Sequence, residues 1–348
     1  MNNLTPETID ITVNAGESFV ESKTLYIPEN PPLIDIMLSF DLTGSMAGII
    51  NIAKRKATEL INALITTYPT ADFAFGVISY MDYNGYFSSC GYSSSYGSGP
   101  DYPYRLDHPI TKNTSEVITA INGLTMGYGD DGPQSYTRVF YESYADENIS
   151  WRAGAKKILI NFADNVPHDC NLNEGVTGGI WSTGVDPGRD ATVGTEDDLK
   201  LLDVLSNMAL NNIVLLECHS SSSNINYWNY WTGITGGKTF ITTSSDLIED
   251  LLNELAGFIV IEEITNLHFE VSPEFSSFDS WLCSVSPPSY SGVTGVTIGF
   301  DLTYCVPAGT AGGDHYFEVI AIESNNIEYG RQKVTVHIPI SRGIPFFY

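Results

Sequence analysis

Positive charge is scarce in this sequence: 16 Lys+Arg stand against 42 Asp+Glu, a net charge of -26. A surface of that sign repels nucleic acid and anionic membranes, which excludes both as partners, and suits divalent metals and cationic ligands. The plainer account is a solubility surface for a chain that works outside cells. Long hydrophobic runs are also missing. No stretch approaches the roughly 18 apolar residues of a membrane span, so none is expected. Met1-Asn2-Asn3-Leu4-Thr5 lacks the basic and apolar regions of a secretory signal, so export is expected to rely on a removed signal or another route. His108, His168, His219, His268, His315 and His337 are scattered. They form no His-x-x-x-His pair, and no nucleophile elbow is present, which removes two common hydrolase signatures. Five cysteines are too few for a disulfide scaffold. Cys283 and Cys305 lie in a β-rich tail and Cys90 and Cys170 in loops, so these are the candidate pairs; Cys218 is left over, and a fully reduced chain stays open.

Apolar residues are plentiful: 43% of the chain is hydrophobic and 12% aromatic, against 17% charged. That is ample for packed cores, and 348 residues exceed the size at which one core usually stops growing. The chain reads as three stretches. Residues 1–31 carry two alternating segments, Ile9–Val13 and Ser18–Ile27, around Asn14-Ala15-Gly16-Glu17. Two strands cannot make a core alone. Residues 32–261 alternate strands and helices, which predicts an α/β fold with a doubly wound, mostly parallel sheet. Residues 262–348 hold strands and turns only, so they and the N-terminal strands are expected to build one β-sandwich into which the α/β domain is inserted.

The stretch Ile34 to Met46 organises the middle region. A buried-type strand ends in Asp41-Leu42-Thr43-Gly44-Ser45, and a long amphipathic helix pattern follows. In open α/β sheets, ligands collect at the carboxyl ends of parallel strands. Alternate positions in an extended turn aim Asp41, Thr43 and Ser45 at one point, and oxygen-only donors suit Mg2+ or Ca2+, with Mn2+ also fitting. The rival reading is a capped helix start with Thr43 or Ser45 as N-cap. Two later loops repeat the design. Gly129-Asp130-Asp131-Gly132-Pro133-Gln134 precedes an amphipathic helix, and the strand Lys157–Phe162 runs into Ala163-Asp164. A further acidic loop holds Asp186, Asp190, Asp197 and Asp198 as a minority candidate for a second metal. Carboxylates there otherwise complement a helix N-terminus.

Asp41-Leu42-Thr43-Gly44-Ser45 resembles the D-x-[ST]-x-S signature of von Willebrand factor A domains and their metal-ion-dependent adhesion site. The resemblance covers roughly residues 33–260. Gly129-Asp130-Asp131-Gly132-Pro133-Gln134 resembles the acidic loop of hemicentin-like and integrin-β-like members, and Trp151-Arg152-Ala153-Gly154-Ala155-Lys156-Lys157 and Asn165-Val166-Pro167-His168-Asp169 are similar to the corresponding stretch of hemicentin-like members. It implies Asp41, Thr43 and Ser45 as first-loop ligands, Asp131 and Gln134 from the second loop, and Asp164 acting through water. Gln134 stands where those members carry glutamate, which lowers the charge of the site.

Loop tyrosines Tyr92, Tyr96, Tyr102, Tyr104 and Tyr128, with His168, are the candidates for a surrounding contact surface; Trp228 and Trp231 read as packing. The expected function is metal-dependent adhesion or ligand binding, outside the cell or on its surface, toward an acidic group of a protein or glycan partner, and not catalysis. The rivals are a self-assembling subunit of an extracellular fibre or surface layer, and a metal-assisted hydrolase.

Overall fold

The computed structural model describes residues 2–29, 31–259 and 263–340. They divide into two compact units, one drawn from 1–31 with 261–348 and the other from 32–260. Among the described residues no helix is long and apolar enough to cross a membrane.

The 32–260 unit is built on a six-stranded sheet. Its spatial order is Thr239–Ile241, Ile213–His219, Lys156–Ala163, Leu33–Asp41, Asp72–Tyr80 and Arg105–Thr111. Neighbours pair in parallel except at the Arg105–Thr111 edge, which is antiparallel. Leu33–Asp41 is central because its residues are apolar on both faces, as a strand covered on both sides requires. Ile36, Leu38 and Phe40 pack with residues of the helices Ile50–Thr67, Thr114–Gly123 and Leu247–Ala256. Met37 points the other way, into a cluster with residues of Tyr136–Ala145, Leu201–Leu210 and Ile225–Ile234. The next strand in sequence, Asp72–Tyr80, lies on one side of Leu33–Asp41, and Lys156–Ala163 lies on the other. Connections that leave adjacent parallel strands toward opposite faces open a crevice at their carboxyl ends, which is where Asp41 and Asp164 stand.

The Gly/Ser/Tyr-rich stretch from Asp82 to Asp107, whose sequence reads as a long loop, contains a hairpin, Gly85–Ser89 with Tyr92–Gly97. Tyr83, Phe87 and Tyr96 form a small core of their own beneath it. Its turn carries Cys90, which is disulfide-bonded to Cys170 with a Cα–Cα distance of 5.4 Å. Serine- and tyrosine-rich strands with glycine turns hide their alternation, which is why the hairpin reads as loop in the sequence.

The other unit contains two sheets. One has the order Leu4–Thr5, Ser18–Ile27, Val296–Cys305, Leu282–Ser286, and the other Tyr290–Val293, Glu263–Val271, Gly313–Ile322, Glu328–Ile338, Thr8–Thr12. Ser18–Ile27 pairs antiparallel along its whole length with Val296–Cys305. Thr8–Thr12 lies parallel to Glu328–Ile338. Inward residues of both ends of the chain, among them Leu25, Ile27, Phe300, Leu302, Phe317 and Val334, share one core. A second disulfide, Cys283 to Cys305, links neighbouring strands. Cys218 is buried and free.

Candidate metal centre

The site starts at the last residue of the central strand. Asp41 is fully buried, and its Oδ1 accepts from Thr43 N at 2.9 Å and Thr43 Oγ1 at 2.6 Å. Thr43 Oγ1 lies 3.1 Å from Ser45 Oγ, which donates to Asp164 Oδ1 at 3.2 Å. Four oxygen-bearing side chains from two strand ends therefore form one continuous group. Thr43 precedes a short 3-10 turn, Gly44–Gly48, yet makes no side-chain capping bond there. Its hydroxyl is turned to the carboxylate instead, which speaks against the capping alternative.

Backbone hydrogen bonds lace the three loops together. Gly44 N donates to Tyr128 O at 2.6 Å and Gly127 N to Leu42 O at 2.9 Å, tying the second loop to the first. Gln134 N donates to Val166 O at 3.0 Å and His168 N to Gln134 O at 3.1 Å, tying it to the third. Gly129, at φ +66°, fills the gap between loops: a Cβ there would lie 2.8 Å from Thr43 Cγ2 and 3.4 Å from Gln134 Nε2. Thr43 and Gln134 thus both border Gly129. Its Nε2 donates to Asp131 O and Gly132 O, both at 3.2 Å, while its Oε1 is buried without a hydrogen-bond partner. An orphaned buried carbonyl costs about 1–3 kcal/mol, a cost that ligation of a cation removes.

Electrostatics favour the same occupant. Burial first, and then the charge of Asp164, raise the Asp41 carboxyl to about 7. Burial raises Asp164 as well. Two carboxylates and two hydroxyls, with the unpartnered amide oxygen of Gln134 on the adjoining loop, are hard, oxygen-only donors of the kind that suit Mg2+ or Ca2+. Asp41 and Thr43 form the buried base, while Ser45 is exposed and Asp164 half-exposed, so the group opens to solvent on one side.

Asp131 departs from this set. Its Oδ2 accepts from Tyr92 Oη at 2.9 Å, and its buried Oδ1, without a hydrogen-bond partner, lies 3.9 Å from His168 Nε2. It belongs to a second group with Asp82 and His168, whose ligand-type atoms all lie within 4.8 Å of one another. His168 is fully buried, with Nδ1 2.7 Å from Thr183 O and Nε2 2.9 Å from Asp82 Oδ2. Burial opposes its charge, but Asp82 outweighs that and holds its pKa above the ordinary histidine value.

The expected contact surface is corrected in most of its members. His168 and Tyr96 are buried and stacked on each other, with ring centroids 3.6 Å apart. Tyr102 meets Ser79 Oγ at 2.8 Å and Tyr104 donates to Asp146 Oδ2 at 2.7 Å; each packs against a core cluster. Tyr92 is half-buried against Asp131. Of the six, Tyr128 faces solvent, at 60% exposure, beside the first loop. Trp228 and Trp231 are buried. The candidate second site is likewise not assembled. Asp186 is buried and accepts from Tyr83 Oη, Arg138 N and Gly188 N. Asp197 accepts from Asp190 N, and Asp198 from Gly194 N. Asp190 accepts from Thr192 N, and Asp198 Oδ1 is buried without a hydrogen-bond partner, but among the described residues the four carboxylates do not gather into one group.

Three residues that the sequence reading passed over belong here. Tyr136 donates to Asp41 Oδ2 at 2.6 Å and accepts from Asn165 N at 3.2 Å, joining the first loop to the third. His219 ends the strand beside Ala163, and its charge opposes the rise of Asp164. Asp82 anchors His168. For His219 and Asp82 the available signal was position, at or just after the end of a parallel-type strand. Tyr136 reads in the sequence as an ordinary helix aromatic.

No protein-family model matches the chain. Over 135 residues, 39% of the chain, it is 24% identical to the alpha-protein kinase vwkA of Dictyostelium discoideum, and the match spans 19% of that protein. Two solved structures are similar at 12% identity. One is a von Willebrand factor type A protein from Catenulispora acidiphila, with a TM-score of 0.37 over 95% of this chain and 72% of that one. The other is the pilus adhesin SpaC from Lactobacillus rhamnosus GG in an open conformation, with a TM-score of 0.40 over 93% of this chain and 46% of that one.

Proposed function

We propose that the 32–260 unit is a von Willebrand factor A-type domain that binds a divalent cation, Mg2+ or Ca2+, through Asp41, Thr43, Ser45, Gln134 and Asp164, and that it uses the ion to recognise a carboxylate of a partner protein or glycan. The observation that carries this reading is the convergence of the Asp41, Thr43, Ser45 and Asp164 oxygens at one strand-end crevice, closed at its base and open at Ser45. An ion held there supplies a coordination position for a carboxylate oxygen, a strong, directional contact that a chelator abolishes. The chain's own residues position that contact. Tyr136 and Thr43 hold Asp41 in place, and exposed Tyr128 offers aromatic surface beside it.

Binding is favoured over catalysis because the nearby histidines, His168 and His219, are fully buried, and the former is engaged at both ring nitrogens. A general base must reach a substrate proton. Two disulfides support a place of work outside the reducing cytosol.

Calorimetric titration of Mg2+, Ca2+ and Mn2+ into the chain and into Asp41→Ala tests the site. Saturable binding by the wild type and none by the variant is expected. Equal binding by both rejects the site. A pull-down of carboxylate-bearing peptides that resists chelator would reject the recognition mode even if the ion binds.

A further inference from the structure

Lys23 is an anomaly in the core of the other unit. The inward positions of Ser18–Ile27 run Phe19, Glu21, Lys23, Leu25, Ile27, and those of Glu328–Ile338 run Gly330, Gln332, Val334, Val336, Ile338. Lys23, with Glu21 beside it, and Gln332 thus face inward from two different sheets, toward the core that holds Leu25, Leu302, Val319 and Val334. The Lys23 side chain has no exposed surface and Gln332 is fully buried. A lysine is rarely placed so deep, because desolvation of its ammonium costs several kcal/mol.

The three groups around it are arranged for a reaction. Lys23 Nζ contacts both Gln332 Oε1 and Glu21 Oε2. Gln332 Nε2 donates to the other oxygen of the same carboxylate, Glu21 Oε1, at 3.0 Å, and to Pro6 O at 2.9 Å. Tyr304 Oη, buried in the same core, donates to Gln332 Oε1 at 3.3 Å. An amine, a carboxamide, a carboxyl group that touches both nitrogens and a hydroxyl on the carbonyl oxygen are the components of amide exchange.

We propose that Lys23 and Gln332 join spontaneously in an intramolecular amide, Nζ to Cδ, with Glu21 as the proton carrier and release of one ammonia. Lys23 Nζ, as the neutral amine, forms the new bond to Cδ, and the Cδ–Nε2 bond breaks. The surplus proton on Nζ passes to Glu21 Oε2, and the same carboxyl group delivers a proton from Oε1 to Nε2, which leaves as ammonia. Negative charge that gathers on Oε1 in the transition state meets the Tyr304 hydroxyl. One amine and one primary amide become one secondary amide and one ammonia, so no oxidant, reductant or cofactor is needed. Burial lowers the Lys23 pKa, against the hydrogen bond and charge of Glu21, which favours the nucleophilic amine. Holding the reacting groups in contact replaces the entropy cost that makes this exchange slow between free molecules.

The link would tie the two sheets together across 309 residues of sequence, with the whole 32–260 unit inside the closed loop. Ser18–Ile27 and Glu328–Ile338, which belong to different sheets, would then be unable to separate.

Intact mass spectrometry of the reduced, denatured full chain tests this, with a tryptic map to locate any change. The expected mass is that of the sequence less one ammonia, and the map should show Lys23 uncleaved and joined to the peptide that carries Gln332. Glu21→Gln, and separately Lys23→Met, should restore one whole complement of atoms with circular dichroism still showing a folded chain. They should also lower the thermal midpoint of this unit. A wild-type chain of full sequence mass that is cleaved normally after Lys23 overturns the cross-link. A cross-link that persists in Glu21→Gln overturns the role of Glu21.

Discussion

At the scale of single residues, Gln134 is the neutral member of the proposed metal group. Its amide oxygen is neutral, so the two carboxylates of Asp41 and Asp164 carry all the negative charge of the donor set. Gln134→Glu adds a charge without changing the length of the side chain, and cation affinity measured by calorimetry is expected to rise by about tenfold. Tyr136→Phe removes the donor to Asp41 Oδ2 and the acceptor of Asn165 N together, and is expected to destabilise the chain by about 1–3 kcal/mol in urea unfolding. Asp41 also makes the site sensitive to pH. Its folded-state pKa is raised by burial and by Asp164 to about 7. A carboxyl raised on folding stabilises the fold while protonated, so in ion-free protein this contribution is present in acid and lost as pH rises through about 7. A cation binds the ionised form and compensates that loss. The rise in melting temperature on adding Mg2+ is therefore expected to be larger above pH 7 than below it, and the same rise at both would refute the coupling.

At the scale of elements, strand ends and the loops that follow them carry the site, and each loop is held by a local device. Gly129 lets the second loop press against Thr43. Gly129→Ala places a Cβ against that side chain and forces a non-glycine residue to φ +66°, a strain of about 1–3 kcal/mol that should lower both stability and cation affinity. The hairpin Gly85–Ser89 with Tyr92–Gly97 is anchored through Cys90 to Cys170, across 80 residues of sequence. Replacing both cysteines by serine is expected to cost about 2–4 kcal/mol of stability, read as a lower midpoint in thermal melting without reductant. The strand ends and acidic loops were legible in the sequence because hydrophobic runs and glycine-flanked carboxylates are local patterns. The hairpin was not, because its strands lack a clear apolar alternation. The fate of Asp131 was not legible either. Asp130 and Asp131 are adjacent in sequence, and whether a carboxylate faces Thr43 or His168 depends on backbone torsions at Gly129 and Gly132 that composition does not encode.

At the scale of the whole molecule, the chain makes one unit from its two ends and another from its middle. Ile34 and Leu255 belong to the same cluster of the middle unit, so its first strand and last helix are closed by one core. A fragment of residues 32–260 is expected to fold cooperatively when produced alone, whereas removal of residues 1–31 should unfold the remainder of the other unit by taking away Ser18–Ile27, the strand between Leu4–Thr5 and Val296–Cys305. Circular dichroism melts of both truncations check this. The change from alternating strands and helices to strands alone near residue 262, the buried-type strand at Leu33–Asp41 and the triad of Asp41, Thr43 and Ser45 are properties of short windows of sequence, because side-chain periodicity and turn chemistry act over a few residues. Tertiary structure alone decided that Asp131 joins Tyr92 and His168, that Tyr96 and His168 are buried, and that Lys23 meets Glu21 and Gln332. Those are contacts between residues tens to hundreds of positions apart, and they arise only when sheets and loops pack into a common, close-fitting interior.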